Sequence, residues 1–257
     1  RMALLTRPLM ANLSKVVAQT RHDSERFLAL GLLPEQVEVS GSIKFDVEIS
    51  PVLIEQAKTL KQQWSLDQQR LIILAASTHA GEDEIILTAF ARVQQQYPNL
   101  LLVLVPRHPE RFNTVAELAA RQFITQRRSQ QAAPDNSAQV FIGDTMGELM
   151  LFYGCADIAF IGGSLVNNGG HNMLEAAAWG LPLVTGESDF NFAVISRLLI
   201  DGRALYQVSD SKSLEQQLAV LIADQILRLA AGESAKQIVA ENRGALDRLL
   251  GAVATYL

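Results

Sequence analysis

One cysteine, Cys155, stands in 257 residues, so no internal disulfide can form and the chain fits a reducing compartment. Four histidines (His22, His79, His108, His171) are too scattered to read with it as a zinc cluster. There is no run of about 20 apolar residues to span a bilayer, and no signal-peptide pattern. Positive charge is in short supply: 22 Lys+Arg face 27 Asp+Glu, a net charge of −5. That excludes a broadly basic nucleic-acid surface and leaves room for a local basic site. Two common phosphate loops are missing as well. No Gly-x-Gly-x-x-Gly follows the first strong apolar run, and Ser77-Thr78-His79-Ala80-Gly81-Glu82 has neither the glycine spacing nor the Gly-Lys-Ser/Thr of a Walker loop.

What is present is a foldable core. Hydrophobic residues make up 49% and charged residues 19%, which excludes intrinsic disorder. Short apolar runs alternate with longer amphipathic ones. Val16 to Ala18 and Val37 to Val39 read as strands around a helix that starts at Asp23 and stops at Gly31. Composition then shifts toward Gln and Lys, which places a domain junction near 45–68. Beyond it, Leu71 to Ala76, Leu100 to Val105, Val140 to Ile142, Ile158 to Ile161, Pro182 to Val184 and Ala204 to Val208 read as buried strands. Helices are expected between them, among them Met146 to Tyr153 and Asn172 to Trp179, with mostly helix from Val208 to Leu257. Residues 126–139 read as a Gln/Ser-rich loop. About six strands alternating with helices imply βαβ units and a doubly wound parallel sheet.

Ligands of such sheets bind beyond the carboxyl ends of the strands. The segments found there each carry two readings. Gly169-Gly170-His171-Asn172 followed by Glu175 could hold an anion on backbone N–H groups, with Glu175 accepting from ribose hydroxyls; equally, Asn-x-x-Glu is a capping box. Thr145-x-x-Glu148 has the same ambiguity. Pro106-Arg107-His108-Pro109 projects Arg107 from a stiff loop, toward a phosphate or into a surface ion pair. Ser77 to Glu82 could hold an anionic group or merely cap the next helix. Lys44 could stabilise a leaving phosphate or pair with Asp46. Cys155, Phe190 and Phe192 read as core.

The order of these segments is more specific than any one of them. Gly41-Ser42-Ile43-Lys44-Phe45-Asp46, Ser77 to Glu82, Val105-Pro106-Arg107-His108-Pro109-Glu110-Arg111, Gly143-Asp144-Thr145-Met146-Gly147-Glu148-Leu149, Gly162-Gly163-Ser164-Leu165-Val166 and Gly169 to Glu175 follow one another along the chain. Together they resemble the 3-deoxy-D-manno-octulosonic acid (Kdo) transferases of lipopolysaccharide synthesis, over nearly the whole chain. The resemblance implies an α/β GT-B glycosyltransferase fold, two Rossmann-like domains with the site in the cleft between them. Residues 1–45 would be the end of an otherwise missing N-terminal acceptor domain, 46–68 the junction, and 69–257 the C-terminal nucleotide-sugar domain with about six parallel strands.

The same resemblance implies transfer of Kdo from CMP-Kdo to a lipid A precursor (lipid IVA), with no cofactor or metal. The parent enzyme would work at the cytoplasmic face of the inner membrane, and this stretch would be soluble. CMP would be contacted by Pro106, Arg107, Met146, Gly147, Glu148, Asn172, Met173, Leu174 and Glu175. Lys44 matches the position that stabilises transition-state charge, and Ser77, Gly163, Ser164 and Gly170 are further donors around phosphate or sugar. The sequence departs from the family before Arg1, where the membrane anchor, most of the acceptor domain and the general-base Glu would lie. The expectation is therefore a chain that binds CMP without transferring Kdo. The competing readings are another GT-B enzyme using a UDP-sugar and a non-catalytic nucleotide-binding module.

Overall fold

The computed structural model describes residues 6, 9, 10, 12–65, 70–131, 133–254 and 256. It forms two compact units, Arg1–Val47 with Val239–Leu257, and Glu48–Ile238. In the first unit, β1 (Val16–Ala18) and β2 (Val37–Val39) pair in parallel around α1 (Arg21–Ala29). Helix α1 starts at Thr20, whose hydroxyl oxygen accepts from the Asp23 N–H at 3.0 Å.

The second unit opens with α2 (Pro51–Trp64) and builds one seven-stranded parallel sheet, in the order β5-β6-β4-β3-β7-β8-β9. The strands are β3 (Leu71–Thr78), β4 (Leu100–Pro106), β5 (Thr125–Arg127), β6 (Val140–Ile142), β7 (Ile158–Ile161), β8 (Leu183–Thr185) and β9 (Leu205–Gln207). The helices between them are α3 (Glu82–Gln96), α4 (Phe112–Ala120), α5 (Leu149–Cys155), α6 (Leu174–Ala178) and α7 (Ala193–Asp201). Then follow α8 (Ser211–Ala223) and α9 (Gln225–Asn242), inside which the division between units falls, and α10 (Ala245–Ala254) in the first unit. Helices cover both faces of β3, β4, β6 and β7, which accounts for their uninterrupted apolar runs.

Several expectations change. Strand β5 overlaps the start of the stretch 126–139 that reads as a loop. It is a polar edge strand, Thr-Gln-Arg, with no apolar period to betray it. Helix α2 is part of the second unit rather than a junction. Its Trp64 is fully buried, edge-on to Phe141 at 5.1 Å between ring centres and tilted on Phe152 at 5.3 Å. The expected boundary at 68/69 lies outside the described residues. The C-terminal residues from Val239 group with the first unit instead of the nucleotide domain. Asp46 accepts from the N–H groups of Gly244 (2.6 Å) and Leu246 (2.7 Å), and Arg248 Nε donates to the Ser40 carbonyl at 2.7 Å. Such long-range caps leave no trace in local pattern.

Helices α5 and α6 begin later than expected, at Leu149 and Leu174. Cys155 is core as expected, and burial pushes its thiol up to about 12. Phe190 is not core: it is 63% exposed, its ring lying beside Gly169. Among the described residues no helix is long and apolar enough to cross a membrane.

Candidate functional site

From β3 the chain moves outward through β4 to β5 and β6, then returns to β7 on the other side of β3 and continues to β8 and β9. The direction reverses between β3 and β7, and a crevice opens beyond the carboxyl ends of strands at such a point. Two chain segments cross there at close range. The ladder of β3 slips between Ala76 and Thr78, and Ser77 takes a left-handed conformation with φ 57°. A side chain at Gly162 would put its Cβ 2.4 Å from the Ser77 carbonyl oxygen, so the crossing requires glycine.

A buried carboxylate holds this crossing together. Glu82, the first residue of α3, accepts from four main-chain N–H groups: His79 (2.9 Å), Gly163 (2.7 Å), Ser164 (3.0 Å) and Leu165 (2.9 Å). Next to it, Asp83 accepts from the Thr78 hydroxyl at 2.6 Å and pairs with Arg111, which also donates to the Thr78 carbonyl at 2.7 Å. Burial pushes the Asp83 carboxyl above the ordinary range, and the bonds from Thr78 and Arg111 pull it back only in part.

Three histidines gather above this frame. His79 and His171 stack with ring centres 4.9 Å apart and planes 10° apart, their Nε2 atoms 2.6 Å from each other. One of the two nitrogens must donate to the other, so the pair shares a single proton across that contact. His108 meets His79 edge-on at 5.4 Å. Burial drives His171 down to about 4, helped by the neighbouring His79 and Arg107. Burial also lowers His79; Glu82 opposes it, while His108, Arg111 and Arg107 reinforce it. Both shifts favour the neutral imidazoles. Arg107 is exposed at the loop tip, its main-chain N–H bound to the Thr78 carbonyl at 3.0 Å. Among the described residues its guanidinium has no ion-pair partner, so the surface-pair reading does not hold there.

A second cluster follows β6. The Glu148 carboxylate receives Arg128 in a two-pronged contact, Nη2 to Oε1 at 2.6 Å and Nε to Oε2 at 3.0 Å, and also accepts from the Thr145 hydroxyl. The Arg128 bonds hold this carboxyl below its usual range, against the opposing effect of burial. Thr145 thus serves the Glu148 side chain, and α5 starts at Leu149 without a side-chain cap: the capping box is not formed. Asp144 is bound by Arg127 Nε at 2.7 Å and by Ser129 through its N–H (2.8 Å) and hydroxyl (2.6 Å). Gly147 has φ +80° and open space where a Cβ would stand, so its backbone can be approached closely. Beside it, Arg128, Gly147 and Glu148 line a groove of about 760 Å³ shared with Leu53, Thr59 and Met150.

The third cluster precedes α6. Asn172 Oδ1 accepts from the Leu174 N–H at 3.1 Å and Nδ2 donates to Glu175 at 3.3 Å, again without a capping box. Burial raises the Glu175 carboxyl, and the Asn172 bond offsets only part of this. The side chains of Met173 and Leu174 are core, which limits them to main-chain contacts. Pro106, also buried, ends β4. Gly163, Ser164 and Gly170 spend their donors inside the protein. The first two N–H groups bind Glu82, the Ser164 hydroxyl donates to the Ile161 carbonyl (2.6 Å) and accepts from Gly186 (2.7 Å), and Gly170 N–H binds the Gly163 carbonyl (2.8 Å). They build the site's frame and offer a ligand no free donor. Lys44 is exposed in the turn Ile43–Phe45 of the first unit. Sequence reasoning singled out the segments that hold His79 and His171 but gave their rings no role, and it passed over Arg128. The adjacent arginines 127 and 128 inside a polar stretch were the one available signal.

Comparison with known proteins gives these clusters a context. The family described as 3-Deoxy-D-manno-octulosonic-acid transferase (kdotransferase) matches residues 1–47, and Glycosyl transferases group 1 matches residues 55–238. The chain is similar to the 3-deoxy-D-manno-octulosonic acid transferase of Haemophilus influenzae, 44% identical over 253 residues that cover 97% of this chain and 58% of that protein. It is 34% identical over 256 residues to that of Bordetella pertussis, covering 98% of this chain and 58% of the relative. The chain therefore spans 58% of the length of these curated relatives. Among solved structures it is similar to the C-terminal CMP-Kdo binding domain of WaaA from Acinetobacter baumannii. The identity is 38% and the TM-score 0.64, covering 77% of this chain and 99% of that one. The parallel α/β architecture expected from the sequence is thus found, GT-B-like and with seven strands.

Proposed function

Because the chain belongs to the Kdo transferases, within the group 1 glycosyl transferases, we propose that its second unit holds the CMP moiety of CMP-Kdo at the β3–β7 switch point. The observation that carries this reading is the convergence there of three histidines with Arg107, which has no ion-pair partner among the described residues. Arg107 receives the phosphate, with imidazole N–H groups beside it. The open backbone at Met146 and Gly147 meets the base, and Arg128 fixes Glu148 in place next to it. Glu175, oriented by Asn172, accepts from the ribose hydroxyls.

In the whole protein the reaction would be transfer of Kdo to a lipid A precursor at the inner membrane. An acceptor hydroxyl gives its proton to a general base and attacks the anomeric carbon of Kdo, the bond to the phosphate oxygen breaks, and CMP departs with one more negative charge than it carried in the donor. Arg107 stabilises that charge, a role that the resemblance implies for Lys44 as well.

Calorimetric titration of the folded chain with CMP tests the reading. Saturable binding is expected, stronger than binding of UDP, and weakened by Arg107→Ala and by Glu175→Ala. A folded sample without affinity for CMP would refute it. If Glu175→Ala lowers stability while affinity per folded molecule is unchanged, Glu175 has only a structural role.

A further inference from the structure

At the opposite edge of the same sheet, where the strands begin, the second unit has another cavity, of about 710 Å³. Arg70 stands just before β3, Asp157 just before β7, and Lys58, Lys61, Trp179 and Arg228 complete the lining that matters. Four cations thus face one carboxylate, and that carboxylate is already spent. Asp157 takes Lys61 Nζ on one oxygen and the Ile72 N–H on the other, each at 2.8 Å. The cavity keeps an excess of positive charge.

Its donors are also in excess of its acceptors. Arg70 is only 4% exposed. Its Nε donates to the Trp64 carbonyl at 2.7 Å and its Nη1 to the Ala138 carbonyl at 3.1 Å, but Nη2 has no acceptor. Arg228, 9% exposed, is anchored through Nη1 to the carbonyls of Leu221 (2.7 Å) and Ile222 (3.1 Å). The indole N–H of Trp179 lacks an acceptor as well. Among the described residues three buried side-chain nitrogens are left without an acceptor, and two of them belong to this lining. Each such N–H is destabilising when left unmet. Nη1 of Arg70 also reaches the Asp135 carbonyl at 3.3 Å; burial lowers Arg70 and the Asp135 charge opposes this, while Nη2 is left unmet.

We propose that this cavity is a second ligand site, which takes a small soluble molecule bearing a phosphate group. A phosphate offers several oxygens and up to two charges to guanidinium, ammonium and indole donors that converge from different elements. A carboxylate would satisfy fewer of them. The volume suits a molecule of metabolite size rather than a lone ion.

The probe is pyrophosphate, titrated calorimetrically into the folded Arg107→Ala chain, in which the candidate site at the other edge has lost its phosphate-binding cation. One saturable event is expected. Lys58→Glu alters an exposed residue, so the fold is kept, and it should weaken binding roughly tenfold or more by reversing one charge of the lining. Trp179→Phe keeps a ring and deletes the N–H, and should weaken pyrophosphate several-fold with CMP affinity unchanged. Absence of saturable heat up to ~10 mM, a weak limit for specific binding, overturns the proposal. So does binding that neither substitution affects. Vesicles of phosphatidylglycerol separate the other source of phosphate. If they sediment the chain in a Lys58-dependent way while pyrophosphate gives no heat, the ligand is a headgroup and the soluble ligand is refuted.

Discussion

Replacing Glu82 by glutamine changes one oxygen to an amide and tests how the β3–β7 crossing is held. The carboxylate accepts four main-chain N–H bonds between 2.7 and 3.0 Å, two on each oxygen. Hydrogen bonds to a charged group are worth about 1.5–3 kcal/mol each. The amide keeps one accepting oxygen. Its NH2 faces two N–H donors on the other side, so two bonds are lost and donor meets donor. Two bonds at that value amount to about 3–6 kcal/mol, and relaxation of the loop brings the expected loss to ~3 kcal/mol. That is a large part of the ~5–15 kcal/mol that holds a typical domain.

Urea unfolding followed by circular dichroism measures it, with Glu84→Gln as the control. Glu84 is exposed two residues further along the same helix and should shift stability by less than ~0.5 kcal/mol. Amide exchange at Gly163, Ser164 and Leu165 gives the local readout and should accelerate in Glu82→Gln beyond the global change. A Glu82→Gln protein within ~1 kcal/mol of the parent, with those amides still protected, would show that the crossing stands without the carboxylate.

Three further outcomes follow from the same geometry. Gly162→Ala should destabilise the second unit by at least ~2 kcal/mol, since its Cβ would stand 2.4 Å from the Ser77 carbonyl; a thermal midpoint unchanged from the parent would refute the close crossing. His171, held neutral with its pKa lowered to about 4, binds a proton less readily than in the unfolded chain. Stability should therefore fall as pH drops below the unfolded value of about 6.5 and go on falling toward about 4, by ~1–2 kcal/mol once the ring's partial exposure is allowed for. His171→Asn removes this slope, so the stability gap between parent and variant should narrow from pH 7 to pH 5, and a constant gap would refute the assignment. Arg128→Ala should raise the Glu148 carboxyl toward its ordinary range by NMR titration and weaken CMP several-fold; an unmoved Glu148 would mean that the pairing is absent in solution.

The sheet was legible because its central strands are buried on both faces. Leu71 to Ala76 and Leu100 to Val105 are apolar without interruption, and that pattern admits few alternatives. Strand β5 was not legible, since an edge strand needs no apolar face, and Thr125–Arg127 carries none. The ends of α5 and α6 were misplaced for a related reason. Thr145 and Asn172 look like caps, but the Thr145 hydroxyl turns to Glu148, and Asn172 divides itself between the Leu174 N–H and Glu175. A local pattern cannot tell a cap that binds the backbone from one that binds a side chain. The union of the C-terminal residues with the first unit rests on Asp46, Ser40 and Arg248, some two hundred positions apart. Arg107 was legible because two prolines and a preceding buried strand leave its side chain only one way out.

Charge sorts the residues of the switch-point edge in a way that motif spacing does not. Glu82 is spent on four N–H groups, Asp83 on Arg111 and Thr78, Asp144 on Arg127 and Ser129, and Glu148 on Arg128 and Thr145. Asp83, Asp144 and Glu148 are each paired with an arginine and Glu82 is bound by four N–H groups, so Arg107 is the cation left to a ligand at this edge among the described residues. Glu175 differs. Among the described residues no cation pairs with it, and its one hydrogen bond, from Asn172, is long at 3.3 Å. Burial raises its pKa, which marks a carboxylate that has lost water without gaining a full set of donors. A neutral hydroxyl donor restores what is missing without adding charge next to the phosphate. A vicinal diol, as on ribose, offers two such donors in the geometry of a carboxylate's two oxygens. Removing either hydroxyl should therefore weaken binding to the parent chain and leave the weaker binding of Glu175→Ala unchanged. If the 2′-deoxy and 3′-deoxy nucleotides lose the same affinity against both proteins, Glu175 does not hold the sugar.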